Sequence, residues 1–393
     1  MKLAILGSGF IARFYADALV GHRRKDEISI VYSRTLANAK KFADDYKVPN
    51  FTDSIEECVS HKDVDAVVIA LSNDMHLEAV LACAAAGKHP LCTKPLGRNA
   101  KEALEMLQAV EKANVTGGYL EDLVYSPKAL KSIAIIKNGS IGEVIWAKSR
   151  ETHPGPHSDW FWDKEKSGGG AIIDLGCHCV ELCRSYIGKN IKPVEVMCWA
   201  DTRLHPIDAE DNAVGMVKYE NGAIGQFEVS WSFRGGMDLR DEVMGTEGTI
   251  WINNFLRTGF EMFTTGKSGS YVAEKAESDS GWLFPVGDEV NELGYNHMFT
   301  DMFEAIDNKK QPVENFYDGY VVNAILDAAF LSARTKKWEP VKIEDWRGVA
   351  EKKNEKEMTS YDEDYYLIKE ETLPSGEKKF IVKNKKTGSI EKR

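Results

Sequence analysis

The sequence of 393 residues lacks a run of about eighteen apolar residues, so we predict no membrane span. It also lacks an excess of positive charge, because 50 basic against 61 acidic side chains leave a formal net charge of −11. Nucleic acids and anionic membrane surfaces attract basic patches, so we expect neither as a partner. The opening "MKLAILGSGF" ends in glycines rather than in a small-residue cleavage site, and we interpret it as a strand, not as a signal peptide. A small neutral molecule suits this composition better.

Cysteine is too scarce and too irregularly placed for a disulfide scaffold. The chain has seven cysteines, an odd number that is scattered over its length. This pattern indicates thiols in a reducing compartment, and we predict a cytoplasmic protein.

The first third of the sequence alternates short apolar runs with helical patterns. "KLAIL", "EISIVYS" and "DAVVIALS" are typical of buried strands, and each is followed by a segment with helical periodicity. Alternating strands and helices predict a parallel, doubly wound sheet of the α/β class. A chain of this length suggests two domains or more, and we assign residues 1–122 to the first.

After about residue 125 the pattern changes to long alternating runs, such as "AVGMVKYENGAIGQFEVSWSF". The asparagine-glycine pair in that run is typical of a tight hairpin. We therefore predict a second domain, residues 123–345, of the α+β type with a large, mostly antiparallel sheet. The tail, residues 346–393, begins with the charge run "EKKNEKE", which is typical of a solvated linker. Alternating segments flank "LPSGE" beyond it, so we predict a β-hairpin arm that adds strands to a neighbouring subunit.

The segment "GSGFIA" fits the pattern GxGxxG/A between a predicted strand and a predicted helix. Gly7 makes the tight turn, Gly9 lets the backbone approach a pyrophosphate, and Ala12 is small enough for the helix to pack on the strand. The amides of a helix N-terminus then face the phosphates, and we expect Phe10 and Ile11 to contact the nucleotide as well. The motif predicts a Rossmann domain that binds NAD or NADP; a purely structural glycine turn is the alternative.

The second predicted strand ends in "VYSRT" instead of the acid that grips both ribose hydroxyls of NAD. Ser33 stands near the position of that acid, and Arg34 follows it. An arginine here suits the 2′-phosphate of NADP, and a solvated surface arginine is the alternative. NAD and NADP therefore both stay open.

Two stretches carry a resemblance to a known family. "VVIALSNDMHLEAVLACAAAGKHPLCTKPLG" resembles the part of the glucose-fructose oxidoreductase and inositol dehydrogenase family (Gfo/Idh/MocA) that ends in a Glu-Lys-Pro motif. Here the motif is Thr93, Lys94, Pro95, with threonine in place of glutamate. "GGGAIIDLGCHCVEL" is similar to the second signature of that family, whose aspartate and histidine fall on Asp174 and His178.

This resemblance covers about residues 1–341 and implies an NAD(P)-dependent oxidoreductase that acts on CH–OH groups. It implies that Ser72, Asn73, His76 and Lys94 contact the cofactor. The substrate would be a polyhydroxylated ring, which is a sugar, glycoside or inositol. The tryptophan-rich segment near residue 160 points, among relatives, to bacterial dehydrogenases that oxidise carbon 3 of glucosides. The second domain would carry both the substrate and the contacts of a homo-oligomer.

Oxidation of a secondary alcohol gives these motif residues physical roles. The reaction needs a base with a pKa near neutrality at the hydroxyl oxygen, and histidine is that base. If "DLGCHCVEL" opens a helix, Asp174 and His178 lie on one face, where the carboxylate can orient the imidazole. Lys94 can hydrogen-bond the same oxygen and favour its alkoxide character. The alternatives are a helix N-cap for Asp174 and a core or surface histidine for His178.

The segment "HPGPHSDWFWD" is typical of a loop that recognises a sugar ring. Its tryptophans offer flat faces, and its histidines and an aspartate can hydrogen-bond hydroxyls; aromatic side chains buried in a core are the alternative. The residues that we predict to bind substrate are His153, His157, Asp159, Trp160 and Trp162.

The run "CHC" looks like a set of metal ligands. However, Cys177 and Cys179 lie about 200° apart on a helix and cannot both close on one ion there. We predict no metal, although His153, His157 and His178 could meet in space around a catalytic one.

Two functions other than that of a dehydrogenase stay open as alternatives. One is a redox glycosidase of the same fold, which uses bound NAD in transient redox steps to eliminate an aglycone. The other is a non-catalytic regulator that senses a nucleotide or a sugar. The joint presence of Lys94, Asp174 and His178 argues against the regulator.

Overall fold

Short strands, most of them apolar and buried, form a parallel sheet in the N-terminal part of the chain. The computed structural model describes residues 1–23, 25–256, 259–269, 271–349 and 359–393 of the sequence. The six strands are β1 (Lys2–Leu6), β2 (Glu27–Tyr32), β3 (Asn50–Thr52), β4 (Ala66–Ile69), β5 (His89–Thr93) and β6 (Gly118–Leu120). Near-continuous apolar runs, such as "AVVI" of β4, are what a strand covered by helices on both faces requires.

The order of these strands reverses near the centre of the sheet. It is β3-β2-β1-β4-β5-β6, and every neighbouring pair is parallel. The helices between the strands are α1 (Phe10–His22), α2 (Leu36–Tyr46), α3 (Ile55–Ser60), α4 (His76–Ala85) and α5 (Ala100–Ala113). The chain leaves β1 toward one side of the sheet and β4 toward the other, so a crevice opens at the carboxyl ends of these two strands. The predicted doubly wound α/β sheet is confirmed; β3 and α3, which are too short to show a periodic pattern, were not foreseen.

A second sheet of seven strands follows, and a two-stranded sheet accompanies it. The strands are β7 (Val144–Thr152), β8 (Pro193–Asp201), β9 (Asn212–Tyr219), β10 (Ile224–Ser230), β11 (Asp238–Gly245), β12 (Thr249–Asn253), β13 (Met262–Thr264), β14 (Gly281–Leu283) and β15 (Glu339–Pro340). The large sheet has the order β12-β11-β7-β10-β9-β8-β15, and β13 pairs with β14. In the large sheet β7 and β10 are parallel, whereas the other neighbours are antiparallel. The prediction of a mostly antiparallel sheet is confirmed, and the predicted hairpin joins β9 to β10.

Helices cover one face of the large sheet and leave the other exposed. They are α6 (Pro127–Lys137), α7 (Lys164–Ser167), α8 (Ala171–Asp174), α9 (Gly176–Ile187), α10 (Glu289–Glu292), α11 (Tyr295–Asp307) and α12 (Phe316–Thr335). Of these, α9 packs on β7 and β10, and α12 packs on β8 and on α5. Strand side chains alternate between the two faces, and Trp146, Trp199, Met244 and Trp251 are exposed on the uncovered one. None of the helices within the described ranges combines the length and the hydropathy that a membrane span requires.

The glycine run before α8 allows a loop to close against that helix. A side chain at Gly170 would place its Cβ 1.8 Å from the backbone carbonyl oxygen of Glu210, which lies in the loop between β8 and β9. The carboxylate of Glu210 accepts hydrogen bonds from the amides of Gly170 at 3.0 Å and Ile172 at 2.9 Å. It therefore acts as the cap at the start of α8. The chain then breaks its helical course at Leu175, so the single helix predicted from "DLGCHCVEL" is divided into α8 and α9.

The chain divides into two units, Met1–Val349 and Ala350–Arg393. The first unit contains both large sheets. Because β6 ends at Leu120 and β7 begins at Val144, we retain residue 122 as the proposed boundary between its two domains.

The second unit contains a small antiparallel sheet in its described part. Its strands are β16 (Tyr365–Thr372), β17 (Lys378–Asn384) and β18 (Ile390–Lys392), in that order. The turn between the first two contains "LPSGE", and the third strand was not foreseen because three residues with two charges show no strand pattern. The predicted charged linker "EKKNEKE" lies outside the described residues.

Candidate active site

A cavity of about 440 Å³ lies at the carboxyl ends of β1 and β4, where the strand order reverses. This volume is in the range of small-molecule sites. Most of the residues predicted from the sequence line it, namely Gly7, Gly9, Phe10, Ile11, Ser33, Arg34, Ser72, Asn73, Lys94, His153, His157, Trp160, Asp174 and His178. His76, Asp159 and Trp162 are not part of its lining.

The turn after β1 has the space and the donors that a phosphate group needs. Gly7 has φ +119°, and a Cβ there would lie 2.2 Å from the carbonyl oxygen of Ala70, so only glycine fits. At Gly9 an added Cβ would meet nothing within 4 Å, which leaves the space that a pyrophosphate would enter. Gly9 is also the N-cap of α1, and no side chain caps the first amides of that helix. These residues therefore fit the pyrophosphate of a dinucleotide.

The end of β2 carries no acid that could grip a ribose. Tyr32, Ser33, Arg34 and Asn38 line this end of the cavity. The hydroxyl oxygens of Ser8 and Ser33 lie 2.8 Å apart, and the side chain of Arg34 is exposed. An arginine next to the start of α2 gives this end a positive character. This end of the cavity therefore accommodates a ribose hydroxyl or a 2′-phosphate.

His76 lies behind the cavity wall, which corrects the predicted cofactor contact. Its Nδ1 is 3.0 Å from the carbonyl oxygen of Pro95 and 3.2 Å from that of Leu96, and its Nε2 is 3.2 Å from the carbonyl oxygen of Leu71. Burial lowers the pKa of His76, although these three carbonyl groups act in the opposite direction. Since both ring nitrogens face backbone carbonyls, His76 ties the segment after β4 to the segment that carries Lys94.

Lys94 and Asp174 form a buried ion pair in the cavity wall. The ammonium donates to Asp174 Oδ1 at 2.9 Å and to the backbone carbonyl of the same residue at 2.8 Å. The indole of Trp231 donates to Oδ2 of Asp174 at 3.0 Å. Burial alone would raise the pKa of Asp174, but Lys94 outweighs it and holds that pKa at about 2. Burial alone would lower the pKa of Lys94, but Asp174 raises it well above its ordinary value, so the pair stays charged at any physiological pH.

Thr93, which replaces the glutamate of the Glu-Lys-Pro motif, takes no part in this contact. Its hydroxyl oxygen lies 2.7 Å from that of Tyr15, and both residues are buried. The orientation of Lys94 therefore depends on Asp174 at the end of α8 and not on the preceding residue.

The imidazole of His178 contacts Glu121, a residue that the sequence analysis missed. Nδ1 of His178 lies 2.5 Å from Oε1 of Glu121, and both residues are buried. Asp174 was predicted to orient this ring, and that prediction is wrong, because the two carboxylate oxygens of Asp174 are bound to Lys94 and Trp231. The signal that could have found Glu121 is an acidic pair directly after a short strand, at the edge where ligands of doubly wound sheets bind.

Three more polar side chains line the cavity. Glu151, near the end of β7, is buried; burial raises its pKa well above the ordinary value, and its Oε2 has no hydrogen-bond partner among the described residues. Lys275 donates to the carbonyl oxygen of Gly155 at 2.8 Å. His153 accepts from the amide of Gly155 at 3.0 Å, and burial, reinforced by Lys275, lowers its pKa to about 3. The sequence analysis missed Glu151 and Lys275, since both stand among other polar residues and neither belongs to a recognisable motif.

Two residues of the tryptophan-rich loop present rings to the cavity. Trp160 stacks on Phe161 with ring centroids 3.8 Å apart. The ring of His157 lies 4.5 Å from that of Phe10, at the nucleotide turn. A stacked indole in a cavity wall is a surface on which a sugar ring can lie.

Two other residues of this loop do not reach the cavity, which corrects their predicted substrate contacts. The side chain of Asp159 is exposed to solvent. Trp162 packs edge-on against Trp231 at a centroid distance of 5.3 Å. Because Trp231 donates to Asp174, Trp162 supports the site from behind.

Three buried residues of the site could in principle bind a metal ion, because their ligand atoms lie within 4.8 Å of one another. They are Glu121, Cys177 and His178. The carboxyl and the imidazole bond each other, and the thiol donates to a backbone carbonyl at 3.2 Å. Oε1 of Glu121, Nδ1 of His178 and the thiol of Cys177 are therefore engaged within the protein. Among the described residues the three histidines His153, His157 and His178 do not form such a group. All seven cysteines are buried and free of disulfides.

Comparison with known proteins defines the class to which the site belongs. Residues 1–119 match the model of the oxidoreductase family with an NAD-binding Rossmann fold, and residues 130–251 match the GFO/IDH/MocA C-terminal domain. Together the two matches cover more than half of the chain. The protein is an NAD(P)-dependent dehydrogenase. It belongs to the GFO/IDH/MocA family of oxidoreductases.

Relatives from several organisms match most of the chain. Levoglucosan dehydrogenase of Pseudarthrobacter phenanthrenivorans is 26% identical over 338 residues, which are 74% of this chain and 84% of that protein. Myo-inositol 2-dehydrogenase of Thermotoga maritima is 29% identical over 66% of this chain and 77% of that protein. The crystal structure of GenD2 from gentamicin A biosynthesis, in complex with NAD, is similar with a TM-score of 0.82 and 28% identity, and the match covers 87% of this chain and 97% of that one.

Proposed function

We propose that the enzyme oxidises a secondary alcohol of a polyhydroxylated ring, which is a sugar, a glycoside or an inositol. The observation that carries the proposal is the meeting of Lys94, Asp174 and His178 in the wall of the cavity that begins at the glycine turn. Bound NAD(P) supplies the acceptor of the hydride in this direction and its donor in the reverse direction. The relatives named for levoglucosan and myo-inositol support this class of substrate.

The protein itself supplies proton transfer and positioning. Since Nδ1 of His178 is bonded to Glu121, Nε2 is the nitrogen that takes the proton of the reacting hydroxyl. The ammonium of Lys94, held by Asp174, donates a hydrogen bond to the same oxygen and stabilises the negative charge that develops there.

The remaining lining suits an uncharged polyol. Trp160 offers a ring face, and the buried carboxyl of Glu151, whose pKa burial raises, can hydrogen-bond hydroxyl groups. We further propose a glucoside as substrate and its carbon 3 as the position oxidised, on the strength of the tryptophan-rich loop that presents Trp160.

The test is turnover by the purified protein with a panel of sugars, glycosides and inositols and with each nucleotide. A rise in the absorbance of reduced nucleotide is expected, and carbon NMR of the product locates the new carbonyl group. A ketone at another carbon contradicts the carbon-3 assignment. Release of an aglycone without a net change in absorbance would favour the redox glycosidase, and no turnover with any member of the panel would contradict the proposal.

Arg34→Ala is expected to weaken NADP binding more than NAD binding. Arg34 lines the nucleotide end next to Ser33, where an acid would repel a 2′-phosphate. Charge-assisted contacts are worth about 1.5 to 3 kcal/mol, so the Kd for NADP should rise about 10- to 100-fold, while that for NAD changes little. Calorimetric titration with both nucleotides measures the difference.

Lys40→Ala is the matched control, because this exposed lysine of α2 pairs with Asp44 and does not line the cavity. It should leave both affinities unchanged. Equal losses for NAD and NADP in Arg34→Ala would show that the arginine does not contact the phosphate.

We propose that the uncovered face of the large sheet joins subunits of a homo-oligomer. Met244 pairs with Trp146 across β11 and β7, and both are exposed together with Trp199 and Trp251. Exposed apolar patches of this kind mark interfaces. The double variant Trp146→Glu/Met244→Glu should therefore be smaller than wild type in light scattering, with an unchanged circular dichroism spectrum. An unchanged oligomer would direct attention to the tail, whose addition to a neighbouring subunit stays a prediction.

We propose a cytoplasmic location for the enzyme. All seven cysteines are buried thiols outside any disulfide, as expected in a reducing compartment.

A further inference from the structure

The carboxyl of Glu121 lies against the imidazole of His178. Its Oε1 is 2.5 Å from Nδ1 of the ring, and the residue is fully buried directly after β6. Its Oε2 is buried and has no hydrogen-bond partner in the described part of the chain. His178 lines the cavity and Glu121 does not, so Nε2 is the ring nitrogen that remains for a substrate.

We propose that Glu121 is a positioning residue that shares the catalytic proton with His178, so that the pair sets the pH range of each reaction direction. The inference rests on the proposed function, in which His178 is the acid/base. For Nε2 to accept a proton, Nδ1 must carry the ring's own proton and donate it to an ionised Glu121. After the transfer the pair holds two protons, and one of them must leave to solvent before the next oxidation.

During oxidation the alcohol loses a hydride and a proton to different acceptors. The carbinol carbon loses its hydrogen, with both electrons of the C–H bond, to the nicotinamide, which is reduced. The O–H bond breaks as the C=O bond forms, and its proton moves to Nε2 of His178. With two protons, the pair is an imidazolium beside a carboxylate or a neutral imidazole beside a carboxylic acid, and the net charge is the same. The reducing direction starts from this state.

The residues around Glu121 and His178 determine the pH at which the pair changes from holding two protons to holding one. Burial raises the pKa of Glu121 to about 8, although Lys94 acts in the opposite direction. Burial, with Lys94 as the second cause, lowers the pKa of His178 to about 3. The pair therefore loses its second proton near pH 8, which favours oxidation above that pH and reduction below it.

The titratable groups that face the pair are Lys94 after β5, Tyr119 in β6, Asp122 after it, Glu151 in β7, Asp174 in α8, Cys177 and Glu181 in α9, Lys189 after α9 and Glu274 before α10.

Glu121→Gln tests the inference in the full-length enzyme, because the amide keeps the shape and accepts the Nδ1 proton but binds no further proton. In wild type, kcat for oxidation should rise through a step near pH 8, and kcat for reduction should fall through it. In Glu121→Gln the oxidation step should move to lower pH by about one unit or more, and reduction at neutral pH should slow by about 10-fold or more. Glu121→Asp, which keeps a carboxyl, should restore the step.

Asp241→Asn is the matched control. Asp241 is a buried carboxyl outside the cavity and accepts a hydrogen bond from Tyr186, so its replacement should leave the step in place. A step that stays where it is in Glu121→Gln would overturn the inference.

A second measurement does not depend on turnover. In wild-type protein with ¹⁵N-labelled histidine, the ring signals of His178, identified by their loss in His178→Ala, should change near pH 8. Ring signals that titrate near the ordinary pKa of about 6.5 would contradict the pairing. If no member of the substrate panel is turned over, the proposed function fails, while the ring titration still decides on the pair.

Discussion

Replacing His178 by alanine should lower kcat on the order of 10²- to 10⁴-fold and leave the affinity for NAD(P) nearly unchanged. The imidazole lines the cavity with its Nδ1 bonded to Glu121, so the change removes the acceptor of the hydroxyl proton. The nucleotide turn and the start of α1 are untouched by it. Steady-state kinetics with the best substrate of the panel and calorimetric titration of the nucleotide measure the two quantities separately.

His297→Ala is the matched control, because His297 is exposed on α11 and does not line the cavity. Its kcat should stay within about twofold of wild type. Turnover in His178→Ala that survives within a few-fold across pH would remove this histidine from the mechanism. Tyr295 and His153, which also line the cavity, would be the next bases to test.

The second large effect is expected for Lys94→Ala. The ammonium is the donor at the oxygen where charge develops, so kcat should fall on the order of 10²- to 10³-fold, with some loss of nucleotide affinity. The change also leaves Asp174 as a buried carboxylate whose remaining side-chain partner is Trp231. Breaking a buried ion pair from one side is strongly destabilising, so the free energy of unfolding should fall by about 3 to 5 kcal/mol. Kinetics and urea unfolding measure the two losses.

Asp174→Asn completes the test, because it breaks the same pair from the other side. Added to Lys94→Ala, it should cost little more in kcat and in stability, as expected for residues that act as a unit. Asp241→Asn lies outside the cavity, and its effect should simply add to that of Lys94→Ala. If the losses of Lys94→Ala and Asp174→Asn add in full, the ion pair is not the functional unit.

This ion pair does not account for a pH step near neutrality. The pKa of Asp174, about 2, lies below its unfolded value of about 3.9, so its stabilising contribution is fully present above that value and is lost as the pH falls toward 2. Between pH 5 and 9 the pair keeps its charges. A kinetic step near pH 8 is therefore not a titration of this ion pair. Asp122 also lines the cavity and burial raises its pKa to about 7, so Glu121→Gln is the variant that assigns the step to Glu121 and His178.

The nucleotide turn and the three central residues could be predicted because their signals are local. "GSGFIA" lies between an apolar run and a helical pattern, and both neighbours are visible within a few residues. Lys94, Asp174 and His178 lie in short motifs. The motif of Lys94 follows a predicted strand, and the motif of Asp174 and His178 follows a glycine run. Such signals need no knowledge of how distant segments pack.

Contacts set by tertiary packing could not be predicted in the same way. Glu121 follows a strand of three residues, and its partner His178 lies 57 positions away. The spacing of four between Asp174 and His178 predicts a shared face but not the partner of each side chain, and these partners, Lys94 and Glu121, lie far away in the sequence. For His76, the sequence does not show whether a polar side chain after a strand faces a cavity or backbone carbonyls.

The contact between Gly170 and Glu210 has a consequence for how this enzyme can diverge. The loop between β8 and β9 closes on the glycine run without room for a Cβ, and α8 carries Asp174 at its other end. An insertion that moves Glu210 in that loop would displace Asp174, whose carboxylate holds Lys94, unless the residues of the glycine run change as well. New substrate preferences are therefore more accessible by substitution of Asp159 or Trp160, which have no part in the contact with Glu210, than by changes at Trp162, which packs on the partner of Asp174.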